Sequence, residues 1–308
     1  MIITIGGTGF IGKHLAVLLH RNGIANISLS REPDIEFTRK FAPSMQTISI
    51  QNLENELDEK KILAAKSLVY LASNSVPSSE SNTISREIEN NVIPAISNID
   101  KLLSVNPDLR IIYLSSGGTI YGPGHRQPIC EDEPSNPVTP YAFGKITIEN
   151  YIKYLGSSRG VKYTILRASN PVGKWHRNPK QGFIGASIAK IRAGEAVQLY
   201  GTGEIVRDYI DADELAEAIL QTATRSSLSN SQILNVGSGI GTSLNHILDS
   251  FRDILGKELQ VENHVGRLSD LSYNVLNCSR IKSELGWQSS INVDQIVRKM
   301  WQETACSN

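Results

Sequence analysis

Apolar residues along the chain fall into two kinds of run that alternate. Short continuous runs rich in β-branched residues predict strands buried on both faces. They cover residues 1–5, 26–29, 46–50, 67–71, 110–114 and 161–167. Between them, apolar positions recur at helical spacing. Leu15, Leu18 and Leu19 mark a helix over 13–21, and residues 61–65 close another. Ile88, Val92, Ala95, Ile96, Ile99, Leu102 and Leu103 line one face of a long helix over 87–104, in which Pro94 predicts a kink. A further helix covers 141–156, and the serine-rich stretch 77–85 reads as an exposed loop. Strands alternating with helices at this spacing predict an α/β fold with a doubly wound parallel sheet. Ligands of such a sheet sit beyond the carboxyl ends of its strands.

After residue 170 the alternation weakens. Helices are expected over 184–192, 211–224, 244–255 and 293–303, and a strand over 233–236. Turns are expected at Tyr200-Gly-Thr-Gly203 and Leu285-Gly-Trp287. This divides the chain into a dinucleotide-binding domain over 1–170, to which later segments can return, and a smaller, mainly substrate-binding α/β cap over 171–308.

The first chemical signal follows the first strand at once. Gly6-Gly-Thr-Gly-Phe-Ile-Gly12 leads into a helix, and strand, glycine turn and helix together open a Rossmann βαβ unit. Gly6 permits the tight turn, Gly9 lets backbone N–H groups approach a pyrophosphate, and Gly12 lets helix pack on strand. The helix dipole favours the phosphates. The second strand ends in Ser30-Arg31-Glu32. A hydroxyl and a guanidinium fork suit a 2′-phosphate, whereas Glu32 suits ribose hydroxyls, so NAD and NADP both stay open.

A second signal is Thr139-Pro-Tyr-Ala-Phe-Gly-Lys145. Thr139 suits an N-cap and Pro140 a first helical position. Tyr141 and Lys145, four apart, then share one helix face. An ammonium beside a phenol is expected to lower the phenol's pKa, which suits proton exchange with a sugar hydroxyl or ketone.

Bulk properties narrow the picture further. The 308 residues hold 31 Lys+Arg against 31 Asp+Glu, a balance that argues against a nucleic-acid partner. Three scattered cysteines and six scattered histidines offer no metal-ligand spacing, so no metal is expected and the compartment reads as reducing. Neither a membrane span nor a signal peptide is visible, which makes a cytoplasmic enzyme the default expectation.

With these residues in hand, the sequence resembles the extended short-chain dehydrogenase/reductases of the NAD-dependent epimerase/dehydratase family, and its nucleotide-sugar members in particular. The resemblance spans nearly the whole chain. It implies that Gly6, Thr8, Gly9, Phe10, Ile11 and Gly12 of the glycine turn contact the cofactor, with Ser30, Arg31, Leu71, Ala72 and Ser73 at the following strand ends. Asn91, in Asn90-Asn91-Val92, is similar to an asparagine near the nicotinamide. Tyr141 and Lys145 match the catalytic pair. Asn170, of Asn170-Pro-Val-Gly173, matches a residue that meets the sugar nucleotide. Arg207, of Val206-Arg-Asp-Tyr-Ile210, matches a diphosphate contact, and Arg267 with Asp270 resembles a late pair on diphosphate and ribose. Ser279 through Leu285-Gly-Trp287 matches the family's tail.

Two departures stand out. The position of the family's catalytic Ser or Thr is Gly117, which leaves Ser116 or Thr119 to supply the hydroxyl. The family's dehydratases carry an Asp-Glu pair where this chain has Gly118-Thr119, which disfavours loss of water. The second departure is Ser30-Arg31, where NAD-type epimerases carry an acidic residue. The resemblance thus implies a nucleotide-diphosphate-sugar 4-epimerase working through a 4-keto sugar. The alternatives are an NADPH-dependent 4-keto reductase of a nucleotide deoxysugar and a non-catalytic nucleotide-binding relative. It also implies a homodimer through the 87–104 and 141–156 helices.

Overall fold

The computed structural model describes residues 1–52, 58–77, 83–176, 182–225, 231–266 and 272–305. In the first half these form β1 (Ile2–Ile5), α1 (Phe10–Arg21), β2 (Asn26–Ser30), α2 (Ile35–Phe41), β3 (Met45–Ser49), α3 (Glu59–Ala64), β4 (Ser67–Tyr70), α4 (Ile84–Glu87), a π-helical turn (Ile88–Val92), α5 (Ile93–Val105), β5 (Arg110–Ser116), α6 (Pro140–Arg159) and β6 (Tyr163–Ala168). The second half adds β7 (Asn170–Val172), α7 (Phe183–Arg192), β8 (Val197–Tyr200), β9 (Val206–Asp211), α8 (Ala212–Thr224), β10 (Gln232–Val236), β11 (Gly241–Ser243), α9 (Leu244–Leu255), β12 (Val261–His264), β13 (Tyr273–Asn274), α10 (Ser279–Leu285) and α11 (Val293–Ala305).

Seven strands build one sheet in the order β3-β2-β1-β4-β5-β6-β10, with every pairing parallel. Alternation along the strands divides the interior into two cores, one per face. Ile3, Leu68, Ile111 and Ile165 enter a core shared with Ile99 of α5 and Ile152 of α6. Their neighbours Ile2, Val69, Ile112 and Leu166 enter the other, with Leu15 of α1 and Leu215 of α8. Strand order reverses between β1 and β4, and a doubly wound sheet binds its ligand at that switch point. The two strand ends touch there: a Cβ on Gly6 would lie 2.8 Å from the Ala72 amide nitrogen.

Two local expectations are corrected. Ile84 and Ser85, expected in a loop, begin the helical segment. The irregularity in that segment is the π-helical turn, which precedes Pro94. Pro94 follows that turn at the start of α5, inside one continuous helical run from Ile84 to Val105. The loop residues 78–82 lie outside the described residues.

The second half serves two bodies. β10 returns to the main sheet beside β6, and Ile281, Leu285 and Trp287 join its second core. Helices α7, α9 and α11 pack around β9 in a core of their own, through Ile188, Tyr209, Phe251 and Val297. Half of β9 pairs with β11 and β13, and its other half with β7.

Candidate functional site

A cavity of about 1460 Å³ runs across the carboxyl ends of the main sheet, between it and the α7 side. Every sequence-expected site residue within the described chain lines it, from Gly6 at one end to Arg207 at the other. Arg267 and Asp270 lie outside the described residues.

At the β1–β4 end the glycine turn is built as its sequence requires. Gly6 has φ +87°, and a Cβ on Gly12 would lie 2.2 Å from the Gly6 carbonyl oxygen. Gly9 is the N-cap of α1 and supplies no side-chain cap, so the first-turn N–H groups keep their capacity for an anion. A dinucleotide pyrophosphate fits this arrangement. Lys13, one turn further on, pairs with Asp34 at 2.6 Å and steadies the loop after β2.

Ser30 and Arg31 are separated by the fold. Ser30 is buried, its hydroxyl accepting from Thr8 at 2.8 Å and lying 3.2 Å from that of Ser28. Arg31 and Glu32 are exposed on the rim. Asn91 reaches the site through its neighbours: its amide oxygen accepts from the Asn74 backbone N–H at 2.7 Å. Its amide nitrogen donates to Ser75 at 3.0 Å. It fixes the loop after β4 as a wall of the cavity.

At the centre, Thr139 caps α6 by accepting from the Ala142 N–H at 3.2 Å, with Pro140 in the first turn. Lys145 is buried and donates to the Leu114 carbonyl at 3.0 Å. Its Nζ lies 5.7 Å from the centre of the Tyr141 ring and 5.1 Å from that of Tyr113. The expected lowering of the Tyr141 pKa is not what this environment produces. Burial pushes the phenol up to about 12, the Ser116 hydroxyl acts to lower it, and Glu87 raises it. Burial acts on Lys145 too, bringing it down to about 8 against the pull of Glu87 and Glu149. For Tyr141 the loss of hydration on burial is the largest effect and sets the direction. Thr119 donates to Ser116 at 3.0 Å, which makes Thr119, Ser116 and Tyr141 a line of hydroxyls.

Sequence reasoning missed the buried network behind this line. Glu149 accepts from Arg167 at 3.2 and 2.8 Å and from Ser115. Arg167 donates onward to Tyr121 at 3.0 Å and to the Glu131 carbonyl at 3.1 Å, and Tyr121 donates to Asn235. The network fastens the segment after β5 to the sheet and so fixes Ser116 and Thr119. One signal was legible: Tyr141, Lys145 and Glu149 recur every four residues, on one face of α6.

At the far end, β7 pairs with β9, and the Asn170 amide donates to the Asp208 carbonyl at 2.9 Å. Asp208 is buried and accepts from Ser238, Gly239 and Leu276, tying three segments beneath Arg207. The loop after β7 is held from behind. Trp175, the one non-glycine residue with positive φ (66°) among the described residues, packs against His14 at 4.7 Å and Phe37 at 5.3 Å. Among the described residues, no group of three His, Cys, Asp or Glu side chains gathers as metal ligands. No described helix is long and apolar enough to cross a membrane.

This fold and site define a nucleotide-dependent enzyme class, and residues 2–237 match the sequence profile of the NAD dependent epimerase/dehydratase family, to which the chain belongs. Among individual proteins, it is 26% identical to a putative UDP-glucose 4-epimerase of Methanocaldococcus jannaschii, over 97% of each chain. It is 27% identical to a dTDP-4-dehydro-6-deoxyglucose reductase of Escherichia coli, over 99% of this chain and 98% of the other. Its fold is shared with a UDP-glucose 4-epimerase of Thermotoga maritima crystallised with UDP-glucose, at a TM-score of 0.86 and 24% identity over 99% of each chain.

Proposed function

We propose that this chain is an NAD-dependent nucleotide-diphosphate-sugar 4-epimerase acting through a transient 4-keto sugar. The observation that carries the reading is a single cavity with a pyrophosphate cradle at one end. Tyr141, Ser116 and Lys145 lie between that cradle and Asn170 with Arg207. When bound, oxidised NAD would supply the hydride acceptor for C4 and a positive charge that favours the phenolate. Tyr141 in its phenolate form would take the proton of the sugar 4-hydroxyl as C4 gives up hydride and would return it when C4 is reduced, with Ser116 donating to the phenolate oxygen. Lys145, anchored on the Leu114 carbonyl, adds an ammonium to the same side. Arg207 neutralises the sugar's diphosphate, and Asn170 orders the cavity wall beside it. Arg267 and Asp270 are assigned to diphosphate and ribose by resemblance alone. Support for the sugar class comes from the relatives, whose names specify UDP- and dTDP-sugars.

One observation favours a second reading. Arg31 stands on the rim beyond β2, where a 2′-phosphate would lie, and this suits an NADPH-dependent 4-keto reductase. Interconversion of UDP-hexoses at C4 without net cofactor turnover separates the two. A homodimer through the helices over 87–104 and 141–156 belongs to either reading and rests on the family resemblance.

A further inference from the structure

Two carboxylates flank Lys145 inside the protein. Glu149, one turn along α6, is matched by the Arg167 guanidinium. Glu87 comes from another element, as the last residue of α4 directly before the π-helical turn. It is only 2% exposed. Its side chain seats against the backbone of α6 in a notch made by Gly144. A Cβ there would lie 2.4 Å from Glu87 Oε1 and 2.5 Å from its Cγ. Gly144 precedes Lys145 by one residue and follows Tyr141 by three, so the carboxylate rests on the turn of α6 that carries both. Any side chain at 144 would press on it. Burying a carboxylate here carries a desolvation cost that an apolar residue of similar size would avoid.

We propose that Glu87 is a positioning residue of the proton-transfer site: seated in the Gly144 notch, its carboxylate holds the Lys145 ammonium charged and in place beside Tyr141. This rests on the roles proposed above for Tyr141 and Lys145. The groups facing Lys145 are Tyr141 and Glu149 from α6, Glu87 from α4, and the Tyr113 ring and Leu114 carbonyl from β5, with Tyr70 behind Tyr113 at 6.1 Å. Of the two carboxylates Glu87 acts more strongly on Lys145, and both oppose the effect of burial. Glu87 also favours the protonated phenols of Tyr141 and Tyr113. It thus keeps the proton-holding form of the whole cluster in the ligand-free protein.

The test titrates Lys145 in ligand-free protein by NMR of 13Cε-labelled lysine, with its signal identified by its loss in Lys145→Met. In Glu87→Gln the midpoint should fall by about one pH unit or more, as removal of a close opposite charge demands. Glu87→Asp, which draws the charge back by one methylene, should fall between Gln and wild type. It also serves if the Gln variant does not fold. A destabilised Glu87→Gln protein, or a folded Glu87→Asp protein, whose Lys145 midpoint matches wild type would overturn the proposal by assigning Glu87 a purely structural role. The titration needs neither cofactor nor sugar, so failure of the epimerase reading would appear separately, as absent turnover with the shift intact.

Discussion

Leu276 occupies the space that a side chain at Gly117 would need: a Cβ at 117 would lie 2.6 Å from Leu276 Cδ1 and 3.0 Å from the Arg167 carbonyl oxygen. A hydroxyl-bearing residue at 117 has no room, and the oxygen that meets Tyr141 is that of Ser116. Ser116→Ala should lower turnover by about 10²-fold or more. Thr119→Ala should cost less, because Thr119 acts through Ser116. Gly117→Ser should cost about 1–3 kcal/mol of stability by overpacking and should not rescue Ser116→Ala. A Ser116→Ala enzyme as fast as wild type would remove the hydroxyl line from the mechanism.

Lys145 should leave a signature in the pH dependence of stability. Burial lowers it to about 8, below the ordinary lysine value of 10.5. Under about pH 8 both folded and unfolded chains hold the proton, and burying the ammonium carries its full cost. Between there and the unfolded value the unfolded chain holds more protons, so this contribution to stability rises with pH. Relative to Lys145→Met, wild type should gain on the order of 2–3 kcal/mol between about pH 7.5 and 10. Urea unfolding of both proteins across that range checks it, and parallel curves would count against a buried, shifted Lys145.

The rim after β2 predicts a cofactor preference that one residue controls. Ser30 is occupied by Thr8, so any grip on a 2′-phosphate falls to Arg31. Arg31→Ala should weaken NADPH binding several-fold more than NADH binding, measured by fluorescence titration. Equal losses for the two cofactors would mean that Arg31 meets adenine or solvent instead.

The outer helices expose apolar side chains: Ile93 is 55% and Tyr154 59% exposed, with Ile84 and Phe143 also exposed. A homodimer through α5 and α6 would cover them. Light scattering at micromolar concentration should give about twice the chain mass of 33.8 kDa. A mass near the single-chain value would refute the dimer.

What the sequence disclosed, and what it hid, follows from how local each signal is. The buried runs of β1, β4 and β5 and the glycine turn are local patterns, and the sheet follows from their alternation. Strands β7, β9, β11 and β13 were not legible. β7, β11 and β13 are only two or three residues long, and β9 changes partners halfway along, a pairing that only the tertiary structure defines. The site residues were legible as motifs, but their environments were not. Counting Lys145 as the neighbour of Tyr141 gives a lowered phenol, whereas burial, invisible in the sequence, raises it. Asn91 was placed at the site without the hydrogen bonds to Asn74 and Ser75 that explain it. Glu87 and Gly144, far apart in the chain, meet only once α4 lies on α6.

In the proposed function, Tyr141 and its neighbours interconvert nucleotide sugars at C4 and recover the hydride within one active site. The most direct measurement supplies UDP-hexoses to the purified enzyme without added cofactor. C4 configuration is followed by NMR and absorbance at 340 nm in parallel. The account predicts interconversion of the C4 epimers with no drift at 340 nm, abolished in Tyr141→Phe although that variant still binds the sugar nucleotide. Reaction of a 4-keto sugar alone, with stoichiometric consumption of NADPH, would contradict it and establish the reductase.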